Sequence, residues 1–112
     1  MANRMPVMKV IEQWASLTNT FSAAGTYSGA ASLPAGQTGE PLLIRGSGNV
    51  SGMITLTFGN GAQVLVPVNP NAPYTEIPIP KSGFPFPVNS VSLTLTADGA
   101  GTIRALVGFG AP

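Results

Sequence analysis

Residues 52–68 read Gly52-Met53-Ile54-Thr55-Leu56-Thr57-Phe58-Gly59-Asn60-Gly61-Ala62-Gln63-Val64-Leu65-Val66-Pro67-Val68, and their reading decides the fold. Ile54, Leu56 and Phe58 alternate with Thr55 and Thr57, the period of a strand with one apolar and one wet face. The faces then set the turn. A three-residue loop, Gly59-Asn60-Gly61, places Phe58 opposite Ala62, Leu56 opposite Val64 and Ile54 opposite Val66. A two-residue loop would set Phe58 against Gln63, and a slip of one residue turns polar groups onto the core face. The spacing predicts a hairpin with a three-residue loop and a glycine in the left-handed region.

The same argument applies to the C-terminal region. Val91, Leu93, Leu95 and Ala97 alternate with Ser90, Ser92, Thr94 and Thr96. Across Asp98-Gly99-Ala100, a three-residue loop sets Leu95 against Ile103, Leu93 against Ala105 and Val91 against Val107, which predicts a second hairpin. The connection between the two, Asn69 to Asn89, is proline-rich, and with Pro67 just ahead of it the prolines are Pro67, Pro70, Pro73, Pro78, Pro80, Pro85 and Pro87. Proline lacks a ladder donor, so Tyr74 to Ile79 reads as an edge strand and Ser82 to Pro87 as a stiff loop carrying aromatics. Upstream, Leu42-Leu43-Ile44 begins a strand, and Gly46-Ser47-Gly48-Asn49 reads as a bend or bulge in it.

Three segments follow. Residues 40–112 form the β core. Residues 23–39 are almost wholly Ala, Gly, Ser, Thr and Pro and read as a linker. Residues 1–22 read as an arm or docking segment that reaches a neighbour or, equally, covers the protein's own sheet edge. Within it, Val7, Val10, Ile11 and Trp14 fall at helical spacing, continued by Leu17 and Phe21, but Val10, Glu12, Trp14 and Ser16 also suit a strand, and both readings stand. The fold class is all-β: an antiparallel sandwich or small barrel, jelly-roll-like, with an N-terminal arm or short helix.

Composition narrows function. The 112 residues hold 5 Lys+Arg, 4 Asp+Glu, no His and no Cys, and charged residues make up 8% against about 25% in ordinary soluble domains. Serine chemistry lacks a histidine base, and Lys81 beside Ser82 reads as a turn. The four carboxylates, Glu12, Glu40, Glu76 and Asp98, show no catalytic spacing. Asn69, Asn71 and Asp98 supply too little charge for a calcium site, and Asn69-Pro70-Asn71 reads as a turn. Arg4, Lys9, Arg45, Lys81 and Arg104 are scattered, which disfavours nucleic acid. No apolar run approaches the length that crosses a bilayer as a helix, and Lys9 and Glu12 interrupt any signal-peptide core. No enzyme, cofactor, metal, nucleic acid or membrane partner is expected. The ligand-like features are aromatic: Trp14, Tyr74, Phe84 and Phe86 form either a contact platform or, for the two phenylalanines, a plug in the end of the sandwich.

The Thr/Ser/Gly-rich strand runs Gly52-Met53-Ile54-Thr55-Leu56-Thr57-Phe58 and Gly101-Thr102-Ile103-Arg104-Ala105-Leu106-Val107-Gly108-Phe109, together with the small-residue N-terminal region, resemble small virion proteins of tailed bacteriophages, of the capsid decoration or cement type. The resemblance spans the chain in style and carries no diagnostic motif. It implies a homo-oligomer made in the host cytoplasm that bridges major capsid subunits and stabilises the shell by binding the assembled state. Val7, Val10, Ile11, Trp14, Phe21, Tyr74, Phe84 and Phe86 are the candidate contact residues. A tail, connector or fibre component, or a carbohydrate-binding sandwich with exposed aromatics, are the alternatives.

Overall fold

The structure is a computed structural model that describes residues 10–112. Eight strands run in chain order: β1 (Gln13–Phe21), β2 (Gly25–Ser32), β3 (Glu40–Gly48), β4 (Gly52–Thr57), β5 (Gln63–Val68), β6 (Thr75–Pro78), β7 (Ser90–Ala97) and β8 (Gly101–Gly110), with one short 3-10 turn at Lys81–Gly83. They form two four-stranded antiparallel sheets, one ordered β1-β8-β3-β6 and the other β2-β7-β4-β5. The pairs β1/β8, β2/β7, β3/β6 and β4/β5 are nested one inside the next, which is the strand order of a jelly roll. Ile44, Ile54, Leu56, Val66, Leu95, Ile103, Val107 and Phe109 fill the space between the sheets and are fully buried.

The central hairpin forms in the expected register. Ile54 pairs with Val66 and Leu56 with Val64, and the Phe58 amide donates to the Ala62 carbonyl at 2.8 Å. Gly61 takes φ +89°, the left-handed position the loop requires. Asn60 Oδ1 accepts from the Ala62 amide at 3.0 Å and completes the turn. The edge strand near Tyr74 is also present: β6 borders β3 and has no second neighbour among the described residues.

The C-terminal hairpin does not form, although its face assignment holds. Leu93, Leu95, Ile103, Ala105 and Val107 all point into the core, but β7 and β8 belong to opposite sheets. Leu95 pairs with Tyr27 and Ile54, while Ile103 pairs with Asn19 and Gly48. Asp98-Gly99-Ala100 therefore crosses between the sheets. Gly101 makes the crossing possible. It sits at φ +153°, and a Cβ there would lie 2.6 Å from Asn49 Oδ1 and 2.7 Å from Val50 Cβ. Asn49 Oδ1 in turn accepts from the Thr102 amide at 2.7 Å.

One segment reading is corrected and one alternative is resolved. Residues 23–39 contain β2, so this region is part of the sandwich and not a linker throughout. Its small residues carry no apolar period because only Ala31 of the strand is buried, and pairing with β7 is what extends the chain. Of the two readings left open for the N-terminal stretch, the strand is the one found from residue 13: β1 pairs with β8 without a break from Gln13↔Phe109 to Phe21↔Gly101. Residues 1–9 of the proposed arm lie outside the described residues. In β3 the irregularity falls between Pro41 and Leu43, ahead of the expected bend. Gly46 stays in the ladder, and its missing side chain admits Ile54 Cδ1 and Val66 Cγ1, which a Cβ would approach to 2.8 and 2.9 Å.

The loops between strands gather at two ends. At one end, residues 33–39, 58–62 and 79–89 meet the C-terminus. Asn89 ties this end together. Its Nδ2 donates to the carbonyls of Gln37 at 2.8 Å and of Leu33 and Pro34 at 3.3 Å each. Asn89→Ala strands these carbonyls near the protein surface. The expected loss is about 1–2 kcal/mol, with faster amide exchange confined to residues 33–39. A melting curve and hydrogen exchange check it.

Candidate functional site

Three surfaces stand out, and strand alternation explains each. The outer face of the β2-β7-β4-β5 sheet presents Thr26, Ser28, Ala30 and Ser32 from β2, Ser90, Ser92, Thr94 and Thr96 from β7, Met53, Thr55 and Thr57 from β4, and Gln63, Leu65 and Pro67 from β5. Hydroxyls face one another across the strands, as Ser28 Oγ and Thr94 Oγ1 do at 3.4 Å. Among the described residues this face has no charged side chain. Glu12, Glu40, Arg45, Glu76, Lys81, Asp98 and Arg104 all lie elsewhere.

The outer face of the β1-β8-β3-β6 sheet is built differently. Arg45 of β3 pairs with Glu76 of β6, and its guanidinium meets the Glu76 carboxylate at 2.9 Å. The Trp14 ring lies 4.7 Å from Arg45 Cζ and the Tyr74 ring 4.4 Å. Trp14 is level with Gly108 and Leu43, one step along the face from Arg45. Tyr74 lies a step the other way, two residues before Glu76. The cation is thus flanked by two rings, each contributing cation–π attraction. Trp14 and Tyr74 remain 43% and 47% exposed, yet their facing sides are occupied by Arg45, so they do not form one flat platform. Arg45→Ala should release both rings. The shift is read in the emission of Trp14, the single tryptophan, which moves to longer wavelength. The stability cost stays near 1 kcal/mol because the ion pair is solvent-screened.

The third surface is the Pro/Phe loop. Phe84 is half-buried and meets Phe58 edge-on, centroids 5.3 Å apart at 84°. Gly83 permits this, since a Cβ there would lie 2.3 Å from Phe58 Cε1. Phe84 therefore plugs the end of the sandwich. Phe86, two residues on and held between Pro85 and Pro87, is 76% exposed. The loop borders a pocket of about 220 Å³ whose walls include Glu40, Lys81, Phe84, Phe86 and Pro112. Lys81 Nζ stands 3.9 Å from the Glu40 carboxylate.

The candidate contact residues thus separate. Phe86, Tyr74, Trp14 and Val10 are exposed, the last at 71%. Ile11 packs over Gly108. Phe21 is a core side chain at 8% exposure, since strand pairing turns it inward with Ala15. Val7 lies outside the described residues. Sequence reasoning missed the Arg45 stack: alternation marks Arg45 as outward, but its two rings come from strand ends distant in the chain. Among the described residues no three His, Cys, Asp or Glu side chains gather, and the turn role of Asn69 is visible in its Oδ1 accepting from the Asn71 amide at 2.9 Å. Comparison of the chain with protein-family models, curated proteins and solved structures finds no match.

Proposed function

We propose that this protein is a structural virion component that decorates or cements a bacteriophage capsid, bridging neighbouring major capsid subunits. The jelly-roll order suits capsid and lectin domains alike, and a fold alone assigns no function. The observation that carries the reading is the exposed Phe86 on its proline-braced loop. A large apolar side chain held out rigidly adds nothing to the core, but it costs little ordering entropy when it enters a partner's pocket. The uncharged Ser/Thr sheet face supports the same reading, as a surface with no unpaired charge to desolvate.

The test is a density gradient of particles released from the native source of the chain. The chain should band with the major capsid protein at fixed stoichiometry, and Phe86→Ala should reduce its occupancy while leaving its melting temperature unchanged. A chain that remains at the top of the gradient overturns the proposal. A carbohydrate-binding role is favoured by the accessibility of Tyr74 and Phe86. Saturable retention on a glycan array, lost in Tyr74→Ala, would move the assignment there.

A further inference from the structure

The two sides of the sandwich are finished differently. On one side the sheets end in β6 and β5. That side carries the usual protections against edge-to-edge pairing: β6 has only 4 residues and includes Pro78 and the charged Glu76, and β5 includes Pro67. On the other side, among the described residues, the sheets end in β1 and β2, of 9 and 8 residues, and neither strand contains a proline or a charge. β1 has no bulge in its ladder to β8. Leu17, half-buried, and Tyr27, 41% exposed, close the gap between these two edges over Gly29, where a Cβ would lie 2.8 Å from Leu17 Cδ1 and 3.3 Å from Tyr27 Cε2.

We propose that β1 pairs antiparallel with β1 of a second copy about a two-fold axis, joining the two β1-β8-β3-β6 sheets into one eight-stranded sheet. Full overlap of the nine residues of β1 puts the two-fold axis at its midpoint, so Leu17 lies opposite itself, Ser16 opposite Thr18 of the second copy and Trp14 opposite Thr20, with outward residues beside outward residues. Every such pair is uncharged, so self-pairing meets none of the like-charge repulsion that penalises facing strands. A second copy supplies an edge that matches β1 in length and in lack of charge, and pairing β1 with β1 is the arrangement in which the same strand serves both partners. The two-fold contact uses up the β1 edge of both copies and closes on itself, so this contact gives a dimer and not a fibre. This inference does not rest on the virion reading.

The absence of cysteine makes the test direct. Facing residues of an antiparallel pair have Cα atoms roughly 4.5–5.5 Å apart, within the span a disulfide bridges. Leu17→Cys in the full chain should oxidise to a covalent dimer, whereas Leu65→Cys, on the outer face of β5 at the guarded side, should not. The unmodified chain should sediment as a dimer at about 100 μM, well above the micromolar Kd expected of so small a contact. Ser16→Lys, on the exposed face and opposite the uncharged Leu106 in its own sheet, should give a monomer, with a melting curve that matches that of the unmodified chain when both are diluted to monomers. A monomer for the unmodified chain, equal cross-linking through Leu65→Cys, or a dimer indifferent to Ser16→Lys would each overturn the proposal.

Discussion

Gly52→Ala is expected to cost about 3 kcal/mol, a fall in Tm of roughly 12–20 °C for a domain of this size. Gly52 opens β4, where the strand lies between β5 and β7 and pairs with Val68 and Ala97. A Cβ there would sit 2.2 Å from the Thr96 carbonyl oxygen and 2.6 Å from Ile103 Cδ1. The first of these atoms is backbone in the neighbouring strand, so relief requires moving the ladder itself. The second is a fully buried side chain of the opposite sheet, in a core that has no slack to receive it. The effect is steric and not conformational, because Gly52 does not occupy a positive φ. Gly59→Ala supplies the control. It lies in the hairpin loop seven residues later, with nothing within 4 Å of the added atom, and should change stability by less than about 0.5 kcal/mol. Thermal unfolding of the two variants side by side checks the contrast. Equal melting temperatures would mean that the sheets are not as close at Gly52 as described.

The same comparison shows what could be read from the sequence. The hairpin around Gly59-Asn60-Gly61 was legible because every constraint is local: two alternating runs, one short loop and only one register that keeps both apolar faces together. The stretch from Val91 to Phe109 obeys the same alternation, and the inward residues were correctly identified. Alternation says which face a residue occupies, however, and nothing about which strand lies beside it. In a jelly roll the chain changes sheets between β7 and β8, and three residues suffice for the crossing as they do for a hairpin. What marks the crossing is Gly101, whose positive φ and close approach to Val50 are visible only in the structure. β2 was illegible for a different reason. Gly25–Ser32 buries Ala31 alone, so its extended form comes from pairing with β7 and not from its own side chains, a case of tertiary context overriding local preference. The aromatic residues divide along the same line. Phe84 and Phe86 look equivalent in sequence, and only the position of Phe58 over Gly83 decides that the first plugs the sandwich end while the second stays in solvent.

That division yields the second large effect. Phe109 is 1% exposed and heads the fully buried side chains by volume. It pairs with Gln13 of β1 and Pro41 of β3, so its ring closes the core where three strands meet the loop end. Its β-carbon also packs against Gly39, where an added Cβ would come within 3.1 Å of it. Phe109→Ala removes the ring and leaves a cavity that the ladders on both sides prevent from collapsing. The expected cost is about 3–5 kcal/mol, a large share of the 5–15 kcal/mol typical of a whole domain. Urea unfolding should show a lower midpoint with an unchanged slope, since the surface exposed on unfolding hardly changes. Phe86→Ala removes the same ring from an exposed site at the same end of the molecule, and its midpoint should not move. A loss of stability from Phe86→Ala comparable to that from Phe109→Ala would mean that Phe86 is packed, and the role proposed for it as a docking side chain would fall with that result. Unchanged stability combined with lost particle occupancy would assign the one ring to folding and the other to assembly.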